Sequence, residues 1–258
     1  MNTKRPRILI SNDDGYHAKG INCLIEMLRD MADLIVCSPE SHRSGFACAF
    51  SVEDPLRLKL RRQDDGVQVW SCNGTPVDCV KLGLHEFFAE QKPDMVIGGI
   101  NHGDNASVNA HYSGTMGVTF EGCMKYIPSV AFSLCDHHSD ANFEPMRHIV
   151  RSIVQRVLNE GLPKGVCLNV NVPVTEHVKG VKVCRMAQGS WYNECEKRLH
   201  PRGHNYFWLT GTYTNDEPQA DDTDNFWLNK GYASITPTQI DVTAYQMMSK
   251  LKDWETEY

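Results

Sequence analysis

The chain has 258 residues, a formal net charge of −6 and both signs of charge mixed along its length. That length suits one α/β domain with a full core, and the acidic balance leaves no basic stripe to neutralise a nucleic-acid polymer. No apolar run reaches the ~20 residues of a membrane span, and the run that follows the first residues is too short for a signal peptide. Ten scattered cysteines without a Cys-x-x-Cys pair read as reduced thiols of a cytoplasmic protein, so the sequons at Asn73 and Asn105 are accidental.

In chain order, a strand is expected at about 7–11, then a helix with Ile21, Leu24, Ile25 and Leu28 on one face. A second strand covers about 34–37. After a long mixed stretch, 67–71 reads as a strand leading to a helix striped by Val77, Val80, Leu84 and Phe87. Residues 95–97 make a buried strand, Met116, Phe120 and Met124 a helix stripe, and 130–132 another strand. Met146, Ile149, Val150, Ile153, Val154 and Val157 mark the clearest helix, and 166–170 closes the series. Apolar strands alternating with amphipathic helices imply a Rossmann-like three-layer α/β/α fold with a mostly parallel sheet.

After about Val178 helical periodicity gives way to mixed aromatic and polar residues. This region reads equally as a hairpin or subunit arm and as antiparallel strands added to the sheet edge. Residues 1–177 are therefore assigned to the Rossmann-like core, and 178–258 to a C-terminal extension that completes the same domain.

Ligands of an open parallel sheet bind outside the carboxyl ends of its strands, which directs attention to Ser11-Asn12-Asp13-Asp14-Gly15, Ser38 to Gly45 and Gly98 to Asn105. Two adjacent carboxylates at the end of a buried strand repel one another unless a cation is shared between them. Oxygen donors from Asp, Ser and Asn favour Mg²⁺, Mn²⁺ or Ca²⁺ over zinc or copper. Asp13 equally suits a helix cap and Asp14-Gly15 a turn, and the loop alone does not separate the two readings.

Tyr112-Ser113-Gly114-Thr115 starts a helix, where N–H groups can receive phosphate oxygens; taken alone, a plain N-cap is its better reading. Gly74-Thr75-Pro76 with Asp78 reads as a turn and a proline-started helix. Asp221-Asp222-Thr223-Asp224 reads as a solvated turn or helix start, and the loop histidines His102 and His111 as idle.

Seven stretches in order resemble the SurE survival-protein family of 5'- and 3'-nucleotidases. They are Ile8 to Gly15 with Gly20-Ile21; Ser38-Pro39 with Arg43-Ser44-Gly45; Gly74 to Val80; Gly99-Ile100-Asn101; Tyr112 to Thr115 with Glu121-Gly122; Pro201-Arg202-Gly203 with Tyr206 to Leu209; and Gly231-Tyr232 through Ser234 to Asp241. The resemblance implies a metal-dependent phosphomonoesterase acting on nucleoside monophosphates. It implies one divalent ion per subunit, Mn²⁺ or Mg²⁺ with Ca²⁺ able to take the same place, ligated by Asp13, Asp14, Ser44 and Asn101. Asp13 and Asp14 are the catalytic pair, and Asn12, Gly45, Ser113, Gly114 and Thr115 lie around the phosphate.

The resemblance further implies a homodimer or homotetramer that exchanges an arm after about Val178. Ser107 and Asn109 stand where the family usually has Gly and Asp, and His200 where an Asp is common, which bears on substrate preference and arm contacts. The expected reaction is attack by a water acidified at the ion, with an attacking Asp as the alternative nucleophile. A non-catalytic, metal-dependent nucleotide sensor has the same ligand set. A dinucleotide oxidoreductase does not fit, because the first turn lacks Gly-x-Gly-x-x-Gly.

Overall fold

A computed structural model describes residues 5–257. The chain begins with β1 (Arg7–Ser11), α1 (Lys19–Leu28), β2 (Asp33–Pro39), β3 (Leu58–Asp64), β4 (Val67–Cys72) and α2 (Pro76–Phe88). It continues through β5 (Met95–His102), α3 (Asn109–Tyr112), α4 (Gly114–Met124), β6 (Ser129–Leu134), a 3₁₀ turn Glu144–Met146, α5 (Arg147–Glu160) and β7 (Val166–Val172). The C-terminal part holds β8 (Val181–Val183), β9 (Gly189–Tyr192), β10 (Cys195–Leu199), β11 (Asn205–Leu209), β12 (Thr212–Asn215), α6 (Asp224–Asn229), β13 (Ala233–Gln239), α7 (Tyr245–Met248) and a 3₁₀ turn Ser249–Trp254.

A nine-stranded sheet runs β3-β4-β2-β1-β5-β6-β7-β13-β8. It is mostly parallel; β3 on β4 and β13 on β7 are the antiparallel pairs. Ile8, Ile10, Met95, Ile97, Val130 and Phe132 pack with α1 and α5 on one face. Leu9, Cys37 and Val96 pack with α2 and α4 on the other. Burying both faces is what the unbroken apolar strands require. The chain moves outward from β1 in one direction to β2 and in the other to β5, so the crevice between the carboxyl ends of β1 and β5 is the switch point where an open α/β sheet binds ligands.

Three expectations change. The mixed stretch before residue 67 contains β3, whose largely exposed face carries Lys59, Arg61 and Arg62 and hides the strand from a search for apolar runs. The stripe assigned to α4 does not describe its buried side: Met124 is exposed, whereas Val118, Thr119, Glu121 and Gly122 are buried, because the helix is wedged between the sheet and α2. Past Val178 both alternatives occur. β13 extends the sheet antiparallel to β7, while β10 and β11 form a separate hairpin whose residues are all exposed.

Candidate active site

The loop after β1 is latched by Asn12. The Gly15 N–H donates to Asn12 Oδ1 at 3.2 Å, Asn12 Nδ2 donates to the Gly15 carbonyl at 3.1 Å, and the Ser38 hydroxyl donates to the same Oδ1. Gly15 has φ of +100°, a backbone region that residues with a Cβ rarely enter, so the tight return depends on glycine. Asn12 is thus fully buried and ties the loop both to itself and to Ser38 of β2, beside Asp13.

Asp13 is only 3% exposed. Its Oδ1 accepts from the buried Thr115 hydroxyl at 2.6 Å, and its carbonyl accepts from the Arg43 N–H at 2.6 Å, which ties the loop after β2 to the loop after β1. A Cβ on Gly114 would come within 2.7 Å of the Asp13 Cβ, so the start of α4 reaches Asp13 only because residue 114 has no side chain. Burial pushes the Asp13 carboxyl up to about 6; the Thr115 hydroxyl opposes this, and the neighbouring Asp14 charge adds to it. Asp14 Oδ2 accepts from the His102 N–H at 3.3 Å, and its Oδ1 lies 3.3 Å from His42 Nδ1.

Asn101 is the penultimate residue of β5, whose register on β6 shifts between Gly98 and Asn101, a local irregularity that re-aims side chains. Its Nδ2 donates to the Gly103 carbonyl at 2.8 Å, while its Oδ1 lies 3.4 Å from Thr115 Oγ1. The amide nitrogen is therefore fixed on backbone and the oxygen faces the side of Asp13. Ser113 caps α4 by accepting from the Met116 N–H at 3.0 Å. The cap reading and the site reading of this turn coexist, because Ser113 also lines the cleft.

That cleft has a volume of about 690 Å³, and Asp13, Ser44, Gly45, Asn101 and Ser113 meet along it. Asp14, Gly114 and Thr115 stand beside or behind this set, against Asp13 or β5. Among the described residues no three His, Cys, Asp or Glu side chains form a metal-holding group. A cation here must rest on two carboxylates plus neutral hydroxyl and amide oxygens, a hard donor set suited to Mg²⁺, Mn²⁺ or Ca²⁺. Asp13 fits that role: it is a buried anion next to another anion, and its nearest hydrogen-bond donor is a neutral hydroxyl.

The opposite wall was not anticipated from the sequence. Trp191, Tyr213 and Asn225 line the same cleft from the C-terminal region. The aromatic-polar mixture after Val178 marked the region as unusual, but no spacing linked it to a loop a hundred residues upstream. The acidic run is also corrected. Thr223 does start α6 as its N-cap, but Asp224 is fully buried and not solvated.

The family model for Survival protein SurE matches residues 8–193. The chain is 53% identical over 257 residues to the 5'-nucleotidase SurE of Phocaeicola vulgatus, covering 100% of each chain. It is 48% identical over 254 residues to the 5'-nucleotidase SurE of Bacteroides thetaiotaomicron, covering 98% of each. The crystal structure of Sure protein from Aquifex aeolicus matches with a TM-score of 0.83 at 36% identity, covering 97% of this chain and 100% of that one. With a doubly covered parallel sheet, a cleft at its switch point and end-to-end similarity of this kind, the chain belongs to the SurE survival-protein family.

Proposed function

We propose that the protein is a metal-dependent 5'-nucleotidase that hydrolyses nucleoside 5'-monophosphates, and 3'-monophosphates in the same cleft, to nucleoside and phosphate. The observation that carries this reading is the meeting of Asp13, Ser44, Asn101 and Ser113 on one cleft, in a chain similar over its full length to 5'-nucleotidase SurE proteins.

Asp13, Asp14, Ser44 and Asn101 hold one divalent ion, Mn²⁺ or Mg²⁺, with Ca²⁺ as a competitor. When bound, such an ion offsets phosphate charge and acidifies water. Asp13 uses one oxygen on Thr115 and would present the other to the ion, where it would also orient the attacking water. The Gly114 and Thr115 N–H groups lie in the first turn of α4, where no preceding helical carbonyl serves them, and they receive phosphate oxygens together with Gly45. The water oxygen forms the new P–O bond, the ester P–O bond breaks, and a water proton ends on the nucleoside oxygen. The chain contributes positioning and electrostatics, which account for most catalysis of phosphoryl transfer.

In the same proposal residues 1–177 are the catalytic core, and 178–258 complete it, a division supported by β8 and β13 lying in the one sheet. Subunits associate as a homodimer or homotetramer, supported by the exposed Phe207, Trp208 and Leu209 on the β10–β11 hairpin. A cytoplasmic location is supported by ten free thiols. No helix among the described residues is long and apolar enough to cross a membrane.

The test is phosphate release from a panel of nucleoside 5'- and 3'-monophosphates with Mn²⁺, Mg²⁺, Ca²⁺ or chelator. Release that depends on a divalent ion is expected. Tight nucleotide binding without release would replace the enzyme by a sensor.

A further inference from the structure

We infer that Asp224, which lies outside the cleft, is a positioning residue that sets the wall facing the nucleoside half of the substrate. The inference rests on the nucleotidase reading. Asp224 is 0% exposed, and among the described residues it has no ion-pair partner. Its carboxylate instead accepts three backbone N–H groups. Oδ2 accepts from Ser107 at 2.9 Å, while Oδ1 accepts from Ala187 at 3.0 Å and from Asn225 at 2.8 Å. Its own N–H donates to the Arg185 carbonyl at 3.0 Å. One buried side chain therefore joins the loop after β5, the irregular segment just before β9 and the start of α6.

Two of the three residues this carboxylate holds, Ser107 and Asn225, line the cleft, and the third, Ala187, lies two residues before β9. Ser107 is itself at φ of +51°, a left-handed backbone that a serine keeps only when its surroundings enforce it. Its hydroxyl donates to the Ala187 carbonyl at 2.8 Å. The Tyr213 phenol donates in turn to Ser107 Oγ at 2.6 Å and lies 2.9 Å from the Asn225 amide. Trp191 Nε1 donates to Asn109 Oδ1 at 3.0 Å, and the Trp191 and Tyr213 rings meet edge to face at 6.0 Å. Ser107, Asn109, Trp191, Tyr213 and Asn225 all line the cleft, across from Asp13, Ser44 and Ser113.

A buried, unpaired carboxylate is a costly way to cap a six-residue helix whose Thr223 already supplies the cap. Its geometry is explained by the need for an acceptor with two oxygens that can hold N–H groups from separate segments. Asparagine cannot replace it. One of its two ends would be an NH₂ facing a backbone N–H, either Ser107 on one side or Ala187 and Asn225 on the other. The wall would then loosen while the opposite end, built on Asp13, Ser44, Gly45 and the turn Ser113 to Thr115, kept its contacts.

The experiment compares Asp224→Asn with the wild type on two substrates, a nucleoside 5'-monophosphate and p-nitrophenyl phosphate, which has no nucleoside. The expected result is a KM for the nucleotide raised by about tenfold or more, with kcat/KM for p-nitrophenyl phosphate within about twofold of wild type. Hydrogen exchange is read on the same samples. Peptides covering 103–109 and 187–192 should lose protection, and the peptide covering β1 should not.

Equal losses on both substrates, or unchanged protection at 103–109, overturn the inference. If Asp224→Asn is not recovered folded, Asp224→Glu keeps the charge and both oxygens but shifts them by one methylene, and it should give the same selective rise in KM. Failure of both variants to fold makes Asp224 a requirement of the fold alone and also overturns it. A wild type that cleaves p-nitrophenyl phosphate but no nucleotide would refute the substrate reading separately, and the exchange data would then judge the positioning role unaided.

Discussion

A carboxylate that is nearly sealed from water, shares one oxygen with a threonine hydroxyl and has a second acid as its sequence neighbour is charged at the expense of the fold. Asp13 is in that position, with its carboxyl raised from 3.8 to about 6. Because the folded value lies above the unfolded one, the penalty is absent below about pH 4 and complete above about pH 6. At ~1.4 kcal/mol per unit it is on the order of 3 kcal/mol in metal-free protein. Asp13→Asn keeps the acceptor for Thr115 and removes the charge. It should melt higher than wild type without metal at pH 8, and the difference should vanish by about pH 4 in a thermal scan. The same variant should lose phosphate release by about a thousandfold or more, since it removes both the proposed cation ligand and the group proposed to orient water. Unchanged turnover in Asp13→Asn would contradict the role given to it.

Helix α2 shows how an element can carry information for a distant loop. Thr75 and Asp78 form a reciprocal capping box, and Asp78 also accepts from the Ser51 N–H at 2.9 Å and the Ser51 hydroxyl at 2.8 Å. Burial alone would raise the Asp78 carboxyl, but the N–H groups of Thr75 and Ser51 outweigh it and hold the group below the usual value. Asp78→Ala should therefore cost about 1–3 kcal/mol in urea unfolding near neutral pH. The gap between wild type and variant should narrow in acid, as Asp78 is protonated and its stabilisation is lost from pH 3.8 downward through its lower folded value. The turn, the proline start and the acid were legible as a helix beginning, because capping is local chemistry. The tie to Ser51 was not, because it spans 27 residues and leaves no periodic trace. Likewise α1 and α5 were readable from one-sided apolar stripes, whereas α4 misled because packing on two sides removes the stripe.

For the molecule as a whole, a mostly parallel sheet covered on both faces follows from alternating apolar strands and helices, but the strand order and the C-terminal quarter do not, since their partners are chosen by tertiary contacts. The end of the cleft that holds Asp13, Ser44 and Asn101 was legible because these residues lie at or just after strand ends; the facing wall was not, because Trp191 and Asn109 meet across 82 residues. The hairpin leaves Trp208 60% and Leu209 84% exposed, an apolar surface of the kind that subunits cover. Light scattering should report a mass of at least twice 29.2 kDa. Trp208→Glu should shift the protein toward monomer with its circular dichroism unchanged; a wild-type monomer at micromolar concentration would refute the proposed assembly. The two sides of the cleft also have different ages. On the ribosome, Asp13 through Thr115 emerge well before Asn225, and at ~5–20 residues per second the interval is roughly 5–20 s. The residues of the proposed phosphate end are thus synthesised before Trp191, Tyr213 and Asn225 of the facing wall, so that the proposed seat for a nucleoside would be the last part of the cleft to be made.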